Sequence, residues 1–213
     1  MGDDGQPFER IEHALKRAIG ALRDADVPFV LAGSLASWAR GGPPTRHDLD
    51  LIVKPQDAER ALQALVDSGM KPERPVEEWL LKAWDGDVLV DLIFDPRGVV
   101  VDDDLIARSE ELHVLSTSIP VLPLEDLLAS KLHALDEHRL DFTPHLQIAR
   151  ALREQIDWAA LRDRTRGSAY ADAFFALVEG LGIAELGRSS GAEVRLLTPN
   201  PEELSPQRSG RSG

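Results

Sequence analysis

The sequence predicts an α+β protein in which helices flank a mixed β-sheet of four or five strands and a C-terminal helical bundle follows. Three observations predict it. Short β-rich runs alternate with amphipathic helical stretches as far as residue 122. The pair Asp85-Gly86 joins two β-rich runs in the manner of a hairpin. From Pro123 to residue 185 the pattern is helical throughout.

Ile11, Leu15, Ala18, Ile19 and Leu22 recur at helical spacing and predict a helix over 8–25. A turn over 24–28 leads into an apolar strand over 29–32. Residues 34–40 have helical character, which Gly41-Gly42-Pro43-Pro44 stops. Residues 48–53 form a strand. A second amphipathic helix covers 55–68, with Pro55 in its first turn and Gly69 at its end. Strands are expected over 79–84 and 87–94, a helix over 102–111 and a short strand over 113–115. Helices follow over 123–138, 144–155, 157–165 and 168–181, with Thr143-Pro144 and Asp157-Trp158 as N-caps. The chain divides into an α/β region over 1–122, a helical region over 123–185 and a tail over 186–213. The tail, rich in Pro, Ser, Gly and Arg, is expected to be disordered.

A chain of 213 residues, 43% hydrophobic, can bury one substantial core. No apolar run reaches the roughly 20 residues that span a bilayer, so no membrane partner is expected. The opening MGDDGQPFER is acidic and does not read as a secretory signal. The sequence contains no cysteine, which excludes disulfides, thiolate metal sites and cysteine nucleophiles and fits a cytoplasmic protein. The net charge of −13 argues against general nucleic-acid binding. That charge is uneven, with residues 1–122 at −10 and the remainder at −3. Arg139, Arg150, Arg153, Arg162, Arg164 and Arg166 fall close together, either as a solvated helix face or as a phosphate-binding patch.

The candidate chemistry lies in the first region. Asp48 and Asp50 flank Leu49 just before Leu51-Ile52-Val53. In a strand they project to one face, where two carboxylates repel unless a cation sits between them. Mg²⁺ or Mn²⁺ accepts such oxygens and leaves positions open for phosphates. Asp91, inside "VLVDLIF", is a third acid in an apolar run and joins the pair if its strand lies alongside. Gly33-Ser34 sits at a strand-to-helix junction, where backbone N–H groups face an anion and glycine permits close approach. Arg40 and Arg46 flank the Gly-Pro loop within reach of a triphosphate. Taken singly, each feature has a plain structural meaning: a turn, a strand end, a salt-bridged core acid, an exposed arginine. Trp38, Trp79 and Trp84 are read as core or base-stacking residues, and His47 as a strand-edge residue.

The joint pattern Gly33-Ser34, Asp48-x-Asp50 and Asp91, over residues 28–95, resembles the nucleotidyltransferase superfamily of the DNA polymerase β type. The long gap between Gly-Ser and D-x-D resembles its AbiEii/MenT-like toxin group. The segment "PLEDLLASKLHALDEHRLDF" is similar to that group's pattern of Lys, Arg and Asp, here Lys131, Arg139 and Asp141. The resemblance implies an enzyme that uses an NTP with Mg²⁺ or Mn²⁺ and transfers NMP to a hydroxyl, releasing pyrophosphate. Asp48 and Asp50 would bridge two metal ions, and Asp91 would hold the catalytic ion beside the acceptor. Gly33, Ser34, Lys131 and Arg46 would contact the nucleotide. It also implies an RNA or tRNA end as acceptor and an antitoxin protein as partner. A small antibiotic-like molecule or a protein hydroxyl is the alternative acceptor, and a non-catalytic nucleotide-binding module is the alternative of a different class.

Overall fold

The computed structural model describes residues 6–44 and 48–186. Arg46, His47 and the tail from residue 187 lie outside the described residues. The strands are β1 (Phe29–Leu31), β2 (Leu49–Val53), β3 (Lys71–Glu73), β4 (Leu80–Asp85), β5 (Val88–Ile93), β6 (Glu110–Val114) and β7 (Thr117–Val121). The helices are α1 (Gln6–Asp24), α2 (Gly33–Ala39), α3 (Ala58–Asp67), α4 (Asp103–Ala107), α5 (Leu124–His133), α6 (Thr143–Leu152), α7 (Trp158–Arg164) and α8 (Ala169–Gly180). The strands form one mixed seven-stranded sheet in the order β3-β4-β5-β2-β1-β7-β6. Pairing is parallel at β2–β5 and β1–β7 and antiparallel elsewhere.

The sheet is larger than the four or five strands expected. β3 is missing from the sequence reading because Lys71-Pro72-Glu73 is fully exposed and carries no apolar alternation. The β6–β7 hairpin is missing because its turn uses Leu115 and Ser116 at φ 47° and 62°, where glycine or asparagine usually marks such a turn. Ser116 Oγ donates to Glu12 Oε1 at 2.7 Å and ties this turn to α1. The expected helix over 102–111 is accordingly confined to α4, which Asp102 caps by accepting from the Leu105 N–H. The helix expected over 123–138 ends at His133. In the β4–β5 hairpin, Gly86 takes φ 66° and the register pairs Asp85 with Val88.

The two faces of the sheet differ, and the alternation within β2 and β5 is the cause. Leu49, Leu51, Val53, Val90 and Leu92 are fully buried on one face. α1 and α3 cover that face, through Leu15, Ile19, Leu22, Ala61 and Leu65. Asp50, Asp91 and Ile93 fall on the opposite face at alternate positions and are only half-buried. An acid can therefore stand inside an apolar run without entering the core.

The helical half packs against this second face. α5 begins directly after β7 and contacts α2, α6, α7 and α8. Phe174, Phe175, Leu132, Ile148 and Leu152 form the interior of this part. Asp157 and Ser168 cap α7 and α8 by accepting from the Ala160 and Ala171 N–H groups, whereas the expected cap at Thr143 is absent: Thr143 is the first residue of α6, which follows Phe142 with no side-chain cap. Among the described residues no helix is long and apolar enough to cross a membrane.

Candidate active site

Strand register builds the centre of the site. Asp50 on β2 is the direct parallel partner of Asp91 on β5. Asp91 is in turn opposite Lys82 on β4, and Lys82 is opposite Glu73 on β3. These four residues form one row across four strands on the open face. Asp48 is exposed just ahead of β2, and its charge acts on both Asp50 and Asp91. The structure thus places the charges of Asp48, Asp50 and Asp91 within mutual influence.

The row's electrostatics are unbalanced at Asp50. Burial, and then the charge of Asp91, push its carboxyl up from 3.8 to about 6, with Lys131 pulling the other way. Asp91 is also raised: burial outweighs the pull of Lys82, although Lys82 Nζ donates to Asp91 Oδ1 at 2.9 Å. Burial draws the Lys82 ammonium down, yet the bond to Asp91 prevails and it sits above its ordinary value. The contact is a close ion pair, with both side chains mostly covered.

Gly33 is fixed by this arrangement. It adopts φ +66°, and any Cβ there would overlap the Asp50 carboxylate. The Ala32 N–H donates to the Asp50 backbone oxygen at 2.8 Å, which locks the Gly33-Ser34 junction onto β2. Ser34 is half-buried in the first turn of α2.

A cleft of about 470 Å³ opens above Gly33 and Asp50, between the sheet and α5. Lys131 from α5, Arg139 from the segment after it and Arg97 from the loop after β5 all line it. Among the described residues none of these three cations contacts an acid in a salt bridge. Trp79, 42% exposed, and Glu77 form part of the wall. The backbone carbonyls of Lys131 and Asp141 both lie 3.1 Å from the ring nitrogens of the buried His145, which braces this end of α5. Burial draws the His145 imidazole below its ordinary value.

Other candidates fall elsewhere. Arg40 is committed to Glu110 at 2.9 Å and to the Leu122 carbonyl at 2.8 Å, so it braces α2 against β6 and β7 and does not reach the cleft wall. Asp141 accepts from the Thr143 N–H at 2.8 Å, an interaction that holds its carboxyl below the ordinary range, and it belongs to the start of α6. Trp84 donates to Glu73 at 2.6 Å, and Trp38 packs against the core. Four arginines of the run have partners close at hand. Arg164 binds Asp126 at 3.1 Å, Arg162 lies 4.5 Å over the Phe175 ring, Arg153 binds Glu154 and Arg166 binds Asp163.

Sequence reasoning missed Lys82 and Arg97. Lys82 was within reach: counting outward from a two-residue Gly86-Asp87 turn places it opposite Asp91. Arg97 is a lone arginine in a loop and carries no sequence signal.

A divalent cation suits the chemistry of the donor set. Asp50 is a carboxylate whose ionised form is disfavoured by burial and by a neighbouring carboxylate, and a hard cation relieves both effects. The arrangement falls short of a ready-made site, because among the described residues no three acidic or histidine side chains are disposed to hold an ion. The Lys82 ammonium occupies one oxygen of Asp91.

Residues 9–179 match the family described as uncharacterised nucleotidyltransferase. No curated protein matches the chain. Among solved structures, the antibiotic-resistance factor ANT(2'')-Ia in solution is 16% identical, with 81% of this chain and 97% of that one covered and a TM-score of 0.56. The crystal structure of ANT(2'')-Ia with adenylyl-2''-tobramycin is 14% identical, covering 76% and 98%, with the same TM-score of 0.56. The lincomycin-bound lincosamide adenylyltransferase LnuA is 18% identical, covering 72% and 97%, at a TM-score of 0.46. At these identities the first two show a shared fold.

Proposed function

The chain belongs to this nucleotidyltransferase family, and we propose that it transfers the NMP unit of an NTP to the hydroxyl of a small molecule. The observation that carries this reading is Asp50, the register partner of Asp91, in the wall of a cleft that Lys131, Arg97 and Arg139 also line. Acids and cations that make no salt bridge among the described residues share one cavity. That is the charge distribution a metal-bound triphosphate requires.

In this reading Asp48, Asp50 and Asp91 hold Mg²⁺ or Mn²⁺. The ion, when bound, neutralises phosphate charge and favours ionisation of the attacking hydroxyl. The protein's own residues position and neutralise. Lys131, Arg97 and Arg139 offset the charge of the triphosphate and stabilise the pyrophosphate that leaves. Gly33, by lacking a side chain, leaves the floor open beside Asp50, and Ser34 adjoins it. Asp91, beside Asp50 in the next strand, would orient the acceptor hydroxyl. Arg46 remains a candidate for the same phosphates.

The acceptor follows from charge. Of the six clustered arginines, Arg162 and Arg164 are engaged with Phe175 and Asp126, and Arg153 and Arg166 pair with exposed acids beside them, so their charge is partly offset. Glu73, Glu77 and Glu78 are exposed on the β3–β4 side of the cleft, which suits a neutral or cationic acceptor better than a polyanion. We therefore rank an RNA or tRNA end, and with it a toxin role with an antitoxin partner, below a small hydroxyl compound.

The test uses NTPs labelled at the α-phosphate with Mg²⁺, offered with a panel of small polyhydroxy and amino-hydroxy compounds or with total RNA. Label should enter a small compound with stoichiometric pyrophosphate release and should be lost in Asp50→Asn. Label in RNA alone would overturn the acceptor. Absence of NTP binding in the presence of Mg²⁺ would overturn the enzyme reading itself.

A further inference from the structure

The row Glu73–Lys82–Asp91–Asp50 contains one element that the transfer reaction leaves unexplained. Lys82 bonds the same carboxylate that must hold an ion, at 2.9 Å from Asp91 Oδ1. A lysine ammonium and a divalent cation cannot both keep close contact with one carboxylate oxygen without strong repulsion.

The row also provides an alternative place for the ammonium. Glu73 lies directly opposite Lys82 on β3, on the same face, away from Asp50. It is not a loose surface acid, because Trp84 Nε1 donates to Glu73 Oε2 at 2.6 Å. Trp84 is two residues along β4 from Lys82, so lysine, indole and glutamate meet on one patch. Glu73 is exposed, whereas the Asp91 and Lys82 side chains are only 14% and 18% exposed. An exposed ion pair is weaker than a covered one. The ammonium therefore rests on Asp91 when nothing displaces it, and Glu73 is its second position.

We propose that Lys82 is a positioning residue that guards Asp91 against metal ions in the absence of nucleotide and moves to Glu73 when the metal–nucleotide complex enters. This rests on the nucleotidyltransferase reading above. Metal loading then becomes coupled to nucleotide binding: the triphosphate's charge tips the row, and free divalent cations alone do so poorly.

The test is Mn²⁺ binding measured by electron paramagnetic resonance on the full chain, without nucleotide and with a non-hydrolysable NTP analogue. Removing a cation beside a carboxylate changes that group's affinity for another cation by about tenfold or more. Lys82→Met should therefore tighten nucleotide-free Mn²⁺ binding by about tenfold, and Lys82→Arg should restore weak binding. Glu73→Gln should move the other way, weakening Mn²⁺ binding both with and without the analogue. Lys82→Gln serves as a second neutral variant should Lys82→Met fold poorly by circular dichroism. Unchanged or weaker Mn²⁺ binding in the neutral variants would overturn the guarding role. An unchanged Glu73→Gln would overturn the handover. Failure of wild type to bind Mn²⁺ even with the analogue would instead strike the reading on which this one rests.

Discussion

Asp50 offers the sharpest test of the site's electrostatics, since its predicted behaviour runs against the usual effect of altering a strand residue. In the unfolded chain its carboxyl ionises near 3.8, and in the folded protein near 6. The folded state thus binds the proton more tightly. Between these two values the contribution of Asp50 to stability is lost as pH rises, and above about 6 the full cost of burying its charge is present. At about 1.4 kcal/mol for each tenfold change in ionisation, the rise from 3.8 to about 6 corresponds to about 3 kcal/mol. That is an upper bound, because Asp50 is half-buried and some water reaches it. Asn has the same shape without the charge, so Asp50→Asn should be more stable than wild type by about 2 kcal/mol at pH 7.5. In a domain of this size that is a rise of about 4–8 °C in Tm. The difference should shrink as pH falls and vanish near pH 4, where wild-type Asp50 is protonated as well. Urea unfolding of both proteins from pH 4 to 8, with chelator present, measures it. An Asp50→Asn protein less stable than wild type at pH 7.5, or a gap that does not depend on pH, would refute the reasoning.

Three further outcomes are expected. Gly33→Ala forces a Cβ into the Asp50 carboxylate at a backbone φ of +66°, and should cost about 2 kcal/mol or more in urea unfolding while abolishing NTP binding by calorimetry. Asp126, 4% exposed, bonds both Arg108 and Arg164 and so joins α4, α5 and α7. Since both arginines are partly solvated, Asp126→Asn should cost about 2 kcal/mol rather than the full figure for a sealed ion pair, measured by urea unfolding at pH 7. His145 is held below 6.5 by burial, so the unfolded chain binds its proton more readily. The stability it contributes is complete above 6.5 and is lost as pH falls below that value. The stability gap between wild type and His145→Gln should therefore narrow from pH 7.5 to 5.5, and a gap that widened would be incompatible with a neutral buried ring.

Local signals carried much of the fold into the sequence. The helical stripe of α1, the Asp-Gly hairpin and the capped start of α7 at Asp157 are all set by neighbouring residues, and all were legible. The β6–β7 hairpin was hidden because its turn is built from Leu115 and Ser116, which hold left-handed backbone with help from Glu12, 104 residues away. The site shows the same division. Alternation in β2 and β5 announced Asp50 and Asp91, since an acid inside an apolar run needs an open face. Arg97 became part of the cleft only through the path of a loop across α5, where Gly98 at φ +74° lies against the His133 ring. The arginine run shows that clustering in sequence is a poor guide to shared exposure. α7 turns Arg162 and Arg164 toward Phe175 and Asp126, away from any shared arginine face.

The placement of β1 between β2 and β7 has a consequence for when the protein becomes competent during its own synthesis. The acid pair needs only residues up to Ile93, since β2 and β5 pair directly. The cations need residues as far as Arg139, and α5 is set in place only after β7 docks in parallel on β1 through Leu31 and Val121. That pairing closes a long stretch of chain and is slow compared with the neighbouring β4–β5 hairpin. A ribosome therefore releases the acidic half first, with Arg97 but without Lys131 and Arg139 to face a triphosphate. A nascent chain stalled before β7 should fold its first hairpin and ignore nucleotide, and competence should arrive in one step once α5 has emerged.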